Sequence, residues 1–66
     1  MFSEYDVVIL DRDIPEHNLK KGILGTIVMV YNEPNKPIGY EVEFVDENLN
    51  TTAILTVYEH DIKIKK

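Results

Sequence analysis

Apolar and polar residues alternate along this chain in short runs, and clusters of glycine, proline, asparagine and aspartate separate the runs. A period of two is the pattern of β-strands, whose successive side chains point to opposite faces. "YDVVIL" (Tyr5 to Leu10) is compact and β-branched and predicts a first strand. "GTIVMVY" (Gly25 to Tyr31) predicts a second. "YEVEFV" (Tyr40 to Val45) alternates without a break: Tyr40, Val42 and Phe44 face one way, Glu41 and Glu43 the other, as in a half-buried antiparallel strand. "TTAILTVY" (Thr51 to Tyr58) and "IKIK" (Ile62 to Lys65) predict a fourth strand and a brief fifth. No segment carries a helical period.

The connections are equally marked. "DRDIPEHNLKKG" (Asp11 to Gly22) is a long polar loop, in which Pro15 suits the first position of one helical turn over "PEHNL". Gly22 and Gly25 are expected to set a turn where side chains would clash. "NEPNKPIG" (Asn32 to Gly39) and "DENLN" (Asp46 to Asn50) are turns by composition, and "EHD" (Glu59 to Asp61) is expected as a short 3-10 turn. Five strands, a long first loop, hairpins after it and a turn before the last strand predict an all-β fold. The expected architecture is a small five-stranded SH3-like barrel, one domain over residues 1–66. Closure of such a barrel would also hide the edges of a short all-β chain.

The expected core is Val8 and Leu10, then Leu24, Ile27 and Val30, then Tyr40, Val42 and Phe44, then Ala53, Leu55 and Val57, closed by Ile62 or Ile64. That leaves Val7, Ile9, Met29, Tyr31 and Ile54 on the opposite faces of their strands. Taken singly, exposed apolar residues are normal. Taken as one patch, they predict a surface that binds a partner or a second copy of the chain, a homodimer. Burial there would also stabilise a small domain, because anything that binds only the folded state favours it.

Composition narrows the partners. Twelve acidic residues stand against seven basic ones, for a net charge of −5, which argues against tight binding to a phosphate backbone and makes nucleic acid an unfavoured partner. The cations available to an RNA-binding alternative are Lys20, Lys21 and Lys36, with a lysine-rich C-terminus. There is no cysteine, hence no disulfide and no thiolate metal ligand. No run approaches the roughly 20 apolar residues of a membrane span, and "MFSEYD" lacks the pattern of a signal peptide, so a cytoplasmic location off the membrane is expected.

Catalytic constellations are thin. The two histidines, His17 and His60, lie in loop and turn, and the single serine, Ser3, lies near a terminus. Glu41 and Glu43 make a carboxylate pair about 7 Å apart by strand geometry, which on an open face is a solvated row. "DEN" at Asp46 lacks the glycine and the distal glutamate of a calcium loop, and "GILG" is too short for a phosphate-cradling loop. The expectation is no enzyme, no cofactor and no metal.

Asp6, Val8, Leu10, Lys21, Gly22, Gly25, Ile27 and Val30 resemble the KOW motif, with its K-G-x-x-G turn between two strands. That resemblance covers the first half of the chain and implies a KOW-like barrel, with RNA binding as the alternative function. A second pattern runs nearly full length: Asp6-Val7-Val8-Ile9-Leu10, then Asp13 to Gly22, Gly25-Thr26-Ile27-Val28, Tyr40 to Phe44 and Leu55-Thr56-Val57. It resembles a family of small uncharacterised bacterial proteins, a domain of unknown function. The resemblance implies one half of a two-gene system with an antitoxin or immunity role, and it carries over no catalytic residue. The expected function is therefore a protein-binding module that inhibits a co-encoded toxin or enzyme, or an accessory barrel that assembles on an enzyme. Asp11, Asp13 and Glu16 would supply steering charge, and Val7, Ile9, Met29, Tyr31 and Tyr58 the apolar anchor.

Overall fold

Five antiparallel strands form one sheet in the computed structural model, which describes residues 1–66. They are β1 (Val7–Leu10), β2 (Leu24–Tyr31), β3 (Gly39–Val45), β4 (Thr51–Tyr58) and β5 (Ile62–Ile64), in the spatial order β4-β3-β2-β1-β5. Two 3-10 turns complete the chain, η1 at Pro15–His17 and η2 at Glu59–Asp61. Pro15 opens η1, where its missing N–H is not needed, and Asn18 ends it in the left-handed region at φ 57°.

The sheet has to curl. Laid flat, β4 and β5 would stand four strand spacings apart, about 19 Å. Only three residues, η2, separate Tyr58 from Ile62, and four peptide steps reach at most about 14 Å. The strands therefore wrap around one cluster, which takes Val8 and Leu10 from β1, Ile27 from β2, Tyr40, Val42 and Phe44 from β3, Val57 from β4 and Ile62 from β5. The wrap stops short of closure: β4 pairs only with β3, and β5 only with β1.

The inward set of β3 is as its alternation predicts. In β2 the expectation of Leu24, Ile27 and Val30 needs correction. Gly25 faces Val8 and Phe44 across the ladders, so Leu24 turns outward against Ile9 and Val45. A bulge between Ile27 and Met29 then inserts Val28 and returns Val30 to the core side, opposite Tyr40. Ile62 closes the core, and Ile64 remains exposed.

The two glycines do different work, and the expectation that both set a turn is wrong for one. Gly22 lies in the turn at φ +101°, with nothing within 4 Å of where a Cβ would sit. Gly25 lies inside β2, where a Cβ would come within 2.5 Å of Val42 Cγ1 and 2.9 Å of Phe44 Cδ1. Gly25 is absence of bulk under a packed core.

The long loop is also more than a connection. Ile14 and Leu19 form a bridge within it, Ile14 N donating to Leu19 O at 2.8 Å and Leu19 N to Ile14 O at 3.1 Å, and both side chains enter the core. At the chain's start Phe2 packs edge-on against Tyr40, ring centroids 5.4 Å apart.

Candidate functional site

The convex face of the sheet can be built row by row from the strand registers, because directly paired residues share a face. One row is Tyr31–Gly39–Tyr58, the next Met29–Glu41–Thr56, the next Val7–Thr26–Glu43–Ile54, and the last Ile9–Leu24–Val45. The residues expected as an apolar anchor therefore do share one face. They form two groups. Val7 and Ile9 sit together on β1, with half-buried Leu24 and Val45 beside them; Tyr31, Tyr58 and Met29 gather at the other end of β2.

The tyrosine pair is the best-formed part. Gly39 between them is buried, and its missing side chain leaves a floor over which both rings lean: a Cβ there would lie 3.6 Å from Tyr58 Cε1 and 3.7 Å from Tyr31 Cδ2. Glu33, Lys36, Pro37 and Thr56 complete a groove of about 190 Å³. Both tyrosines keep about two-fifths of their residue surface in solvent, 40% for Tyr31 and 42% for Tyr58. The carboxylates on the same face are engaged locally. Thr56 Oγ1 donates to Glu41 Oε1 at 2.8 Å, and Thr51 Oγ1 donates to Glu43.

Of the loop acids, Asp11 lies between Lys63 Nζ at 3.6 Å and Lys21 Nζ at 4.0 Å, and Asp13 Oδ1 accepts the Lys21 main-chain N–H at 2.8 Å. Glu16 stays exposed on η1. The three candidate RNA-binding cations are not brought together. Lys20 and Lys21 precede β2 and line an open groove of about 630 Å³ that also holds Asp46 and Glu47, whereas Lys36 follows β2 and pairs with Glu33 at 3.3 Å. His17 and His60 are exposed, and no three His, Asp or Glu side chains stand close enough to share an ion. Asp46 acts as a turn cap, accepting the N–H groups of Asn48 and Asn50 at 2.8 and 3.0 Å.

Sequence reasoning missed one cluster. Asp61, read as the end of a turn, is buried: its Oδ1 accepts Arg12 Nε at 2.7 Å and its Oδ2 accepts the Tyr58 N–H at 2.9 Å. Arg12 also donates to the Asp13 carbonyl at 3.2 Å. One chain of hydrogen bonds thus ties the end of β4, beneath Tyr58, to the first loop. An acidic residue at the third position of a 3-10 turn was the available signal. Burial pushes the Asp61 carboxyl up, but the Arg12 hydrogen bond, the Tyr58 amide and the nearby cations outweigh it and hold the group below its ordinary value. Tyr40 shifts the other way: burial, then its hydrogen bond to Glu59 Oε1 at 2.6 Å, raise its phenol.

The Asp61 shift fixes a sign. The unfolded chain holds this proton up to about pH 3.9, the folded chain only below that. The pair's stabilisation is present above pH 4 and is lost as pH falls through the lower, folded value. Asp61→Asn is expected to be less stable than the parent at pH 7, with the gap narrowing toward pH 2. Urea midpoints across that range measure it, and a gap independent of pH would exclude the assignment.

Comparison with known proteins adds one match. A family model described as Domain of unknown function (DUF4926) matches residues 4–64. No curated protein and no solved structure matches the chain.

Proposed function

The chain belongs to that family, and we propose that it is a non-enzymatic protein-binding module of SH3-like architecture, whose convex face docks a co-encoded partner as an antitoxin or immunity protein does. The observation that carries the reading is the Tyr31–Tyr58 pair over buried Gly39, an exposed aromatic groove with Met29 beside it on the same face. Tyrosine offers large rigid contact area at low entropic cost, which is why it dominates binding hot spots.

Other features support parts of the reading. The strand order β4-β3-β2-β1-β5, the curled sheet, the long first loop and the 3-10 turn before β5 support the SH3-like part of the reading, with the sheet left open between β4 and β5. The two strand carboxylates of the face are tied in local hydrogen bonds, Glu41 to Thr56 and Glu43 to Thr51, which suits a docking surface better than proton transfer. A net charge of −5 would speed encounter with a basic partner.

The test is co-expression with the product of the adjacent gene, followed by calorimetry on the purified pair. Tyr31→Ala is expected to weaken binding about 30-fold, the effect of losing a hot spot of about 2 kcal/mol. Affinity should also fall with added salt. Absence of a complex, or a complex indifferent to Tyr31→Ala, overturns the proposal; a salt-sensitive shift with RNA would favour the alternative through Lys20 and Lys21.

A further inference from the structure

The two edges of the sheet are treated differently. β5 is three residues long and is followed and interrupted by Lys63, Lys65 and Lys66, a guarded edge of the kind that resists pairing. β4 is eight residues long, Thr51–Tyr58, and carries no charge and no proline. Thr51, Thr52, Ile54, Thr56 and Val57 are β-branched, which suits an extended backbone. Its only neighbour is β3. None of the main-chain hydrogen bonds outside the regular ladders involves Thr51–Tyr58, and only the Tyr58 N–H is taken up elsewhere, by Asp61. The irregularity of this strand pair falls at its start, between Phe44 and Val45, so Ala53–Val57 stays a regular template.

We propose that this edge pairs with itself, β4 against β4 of a second copy, antiparallel about a two-fold axis normal to the sheet. A strand addition of this kind draws its affinity from main-chain hydrogen bonds that the edge leaves open. The occupant is a second copy because the strand is self-complementary. The axis keeps each face continuous, so a register centred on Ile54 sets Ile54 against its own symmetry mate, Ala53 against Leu55, and Thr52 against Thr56. This register opposes no like charges. Glu41 and Glu43 lie one strand further in, three strand spacings from their mates, about 14 Å. That exceeds the Debye length of about 8 Å in physiological salt, so the net charge does not forbid the pairing. The result is one ten-stranded sheet whose two Tyr31–Tyr58 grooves lie on the same side.

Sedimentation equilibrium of the isolated chain tests this without any partner, so its outcome is separate from that of the docking proposal. An edge interface is small, and the dimer is expected in the micromolar range of dissociation constants. Ile54 is 55% exposed, so its substitution spares the core. Ile54→Lys and Ile54→Glu are each expected to stay folded by circular dichroism, with the dimer dissociation constant from sedimentation raised at least about tenfold by like charge at the axis. Mixed together they are expected to form a one-to-one heterodimer. A parent chain that stays monomeric at about 300 µM, well above the micromolar range that weak interfaces occupy, overturns the proposal. So does a dissociation constant unchanged in Ile54→Lys, or a mixture of the two variants that pairs no better than either alone.

Discussion

Gly25→Ala is expected to destabilise the domain by about 2–3 kcal/mol, although it adds a single methyl group to a strand. Gly25 has no unusual backbone conformation to lose. Its methyl would sit 2.5 Å from Val42 Cγ1, 2.9 Å from Phe44 Cδ1 and 3.2 Å from the Glu43 carbonyl oxygen. Val42 and Phe44 are fully buried, so neither can swing into solvent to make room. Val42 is β-branched and stiff at χ1, which leaves backbone movement as the main relief. Gly22→Ala is the control. It meets open space but holds φ at +101°, and strain of that kind is about 1–2 kcal/mol. The mechanisms separate in a mutant cycle. Val42→Ala removes the closest of the colliding atoms, so Gly25→Ala/Val42→Ala should be more stable than the two single losses added together, by a coupling within the usual range of about 0.5–3 kcal/mol. Urea titrations followed by circular dichroism give all the terms. Strict additivity would exclude the steric account.

That contrast shows where the sequence is legible. Period two was readable wherever charges mark the outer face, and in β3 Glu41 and Glu43 identify the inward residues without help. β2 carries no such mark. Its apolar residues occupy both faces, a glycine takes an inward position, and the bulge at Val28 changes the parity halfway along, so the pattern alone puts Leu24 inside, whereas it faces outward. The tyrosine groove was legible only as two tyrosines. That Gly39 clears the floor between them depends on the pairing of three strands, which no local pattern encodes. The Arg12–Asp61 pair spans 49 positions and was hidden in a stretch that reads as an ordinary turn. The long loop concealed its core residues for a related reason. Ile14 and Leu19 are five apart, a spacing that belongs neither to a strand nor to a helix.

Leu19→Ala puts that loop to the test and is expected to be the most damaging single truncation outside the strands, at about 2–5 kcal/mol. Leu19 is 2% exposed and belongs to the same cluster as Val8, Phe44 and Ile62. A domain of this size without disulfides holds only about 3–5 kcal/mol in total. The variant should therefore sit near its unfolding midpoint at 25 °C. A loop that merely covered the sheet would behave differently. Its loss would release Asp11 to Gly22 and leave the five strands folded. The structure argues for the global outcome because the loop is fastened at both ends as well as in the middle. Gly22 N donates to Leu10 O at 2.8 Å, Leu10 N to Ile23 O at 2.9 Å, and Asp11 N to Asp61 O at 2.8 Å. Glu16→Ala in the same loop should stay within about 0.5 kcal/mol of the parent, since its side chain is exposed on η1. Amide exchange on Leu19→Ala decides between the alternatives. If β3 amides lose protection together with those of the loop, the loop side chains are part of one cooperative core. If only the loop exchanges faster, Leu19 anchors a lid, and the five strands carry the fold alone.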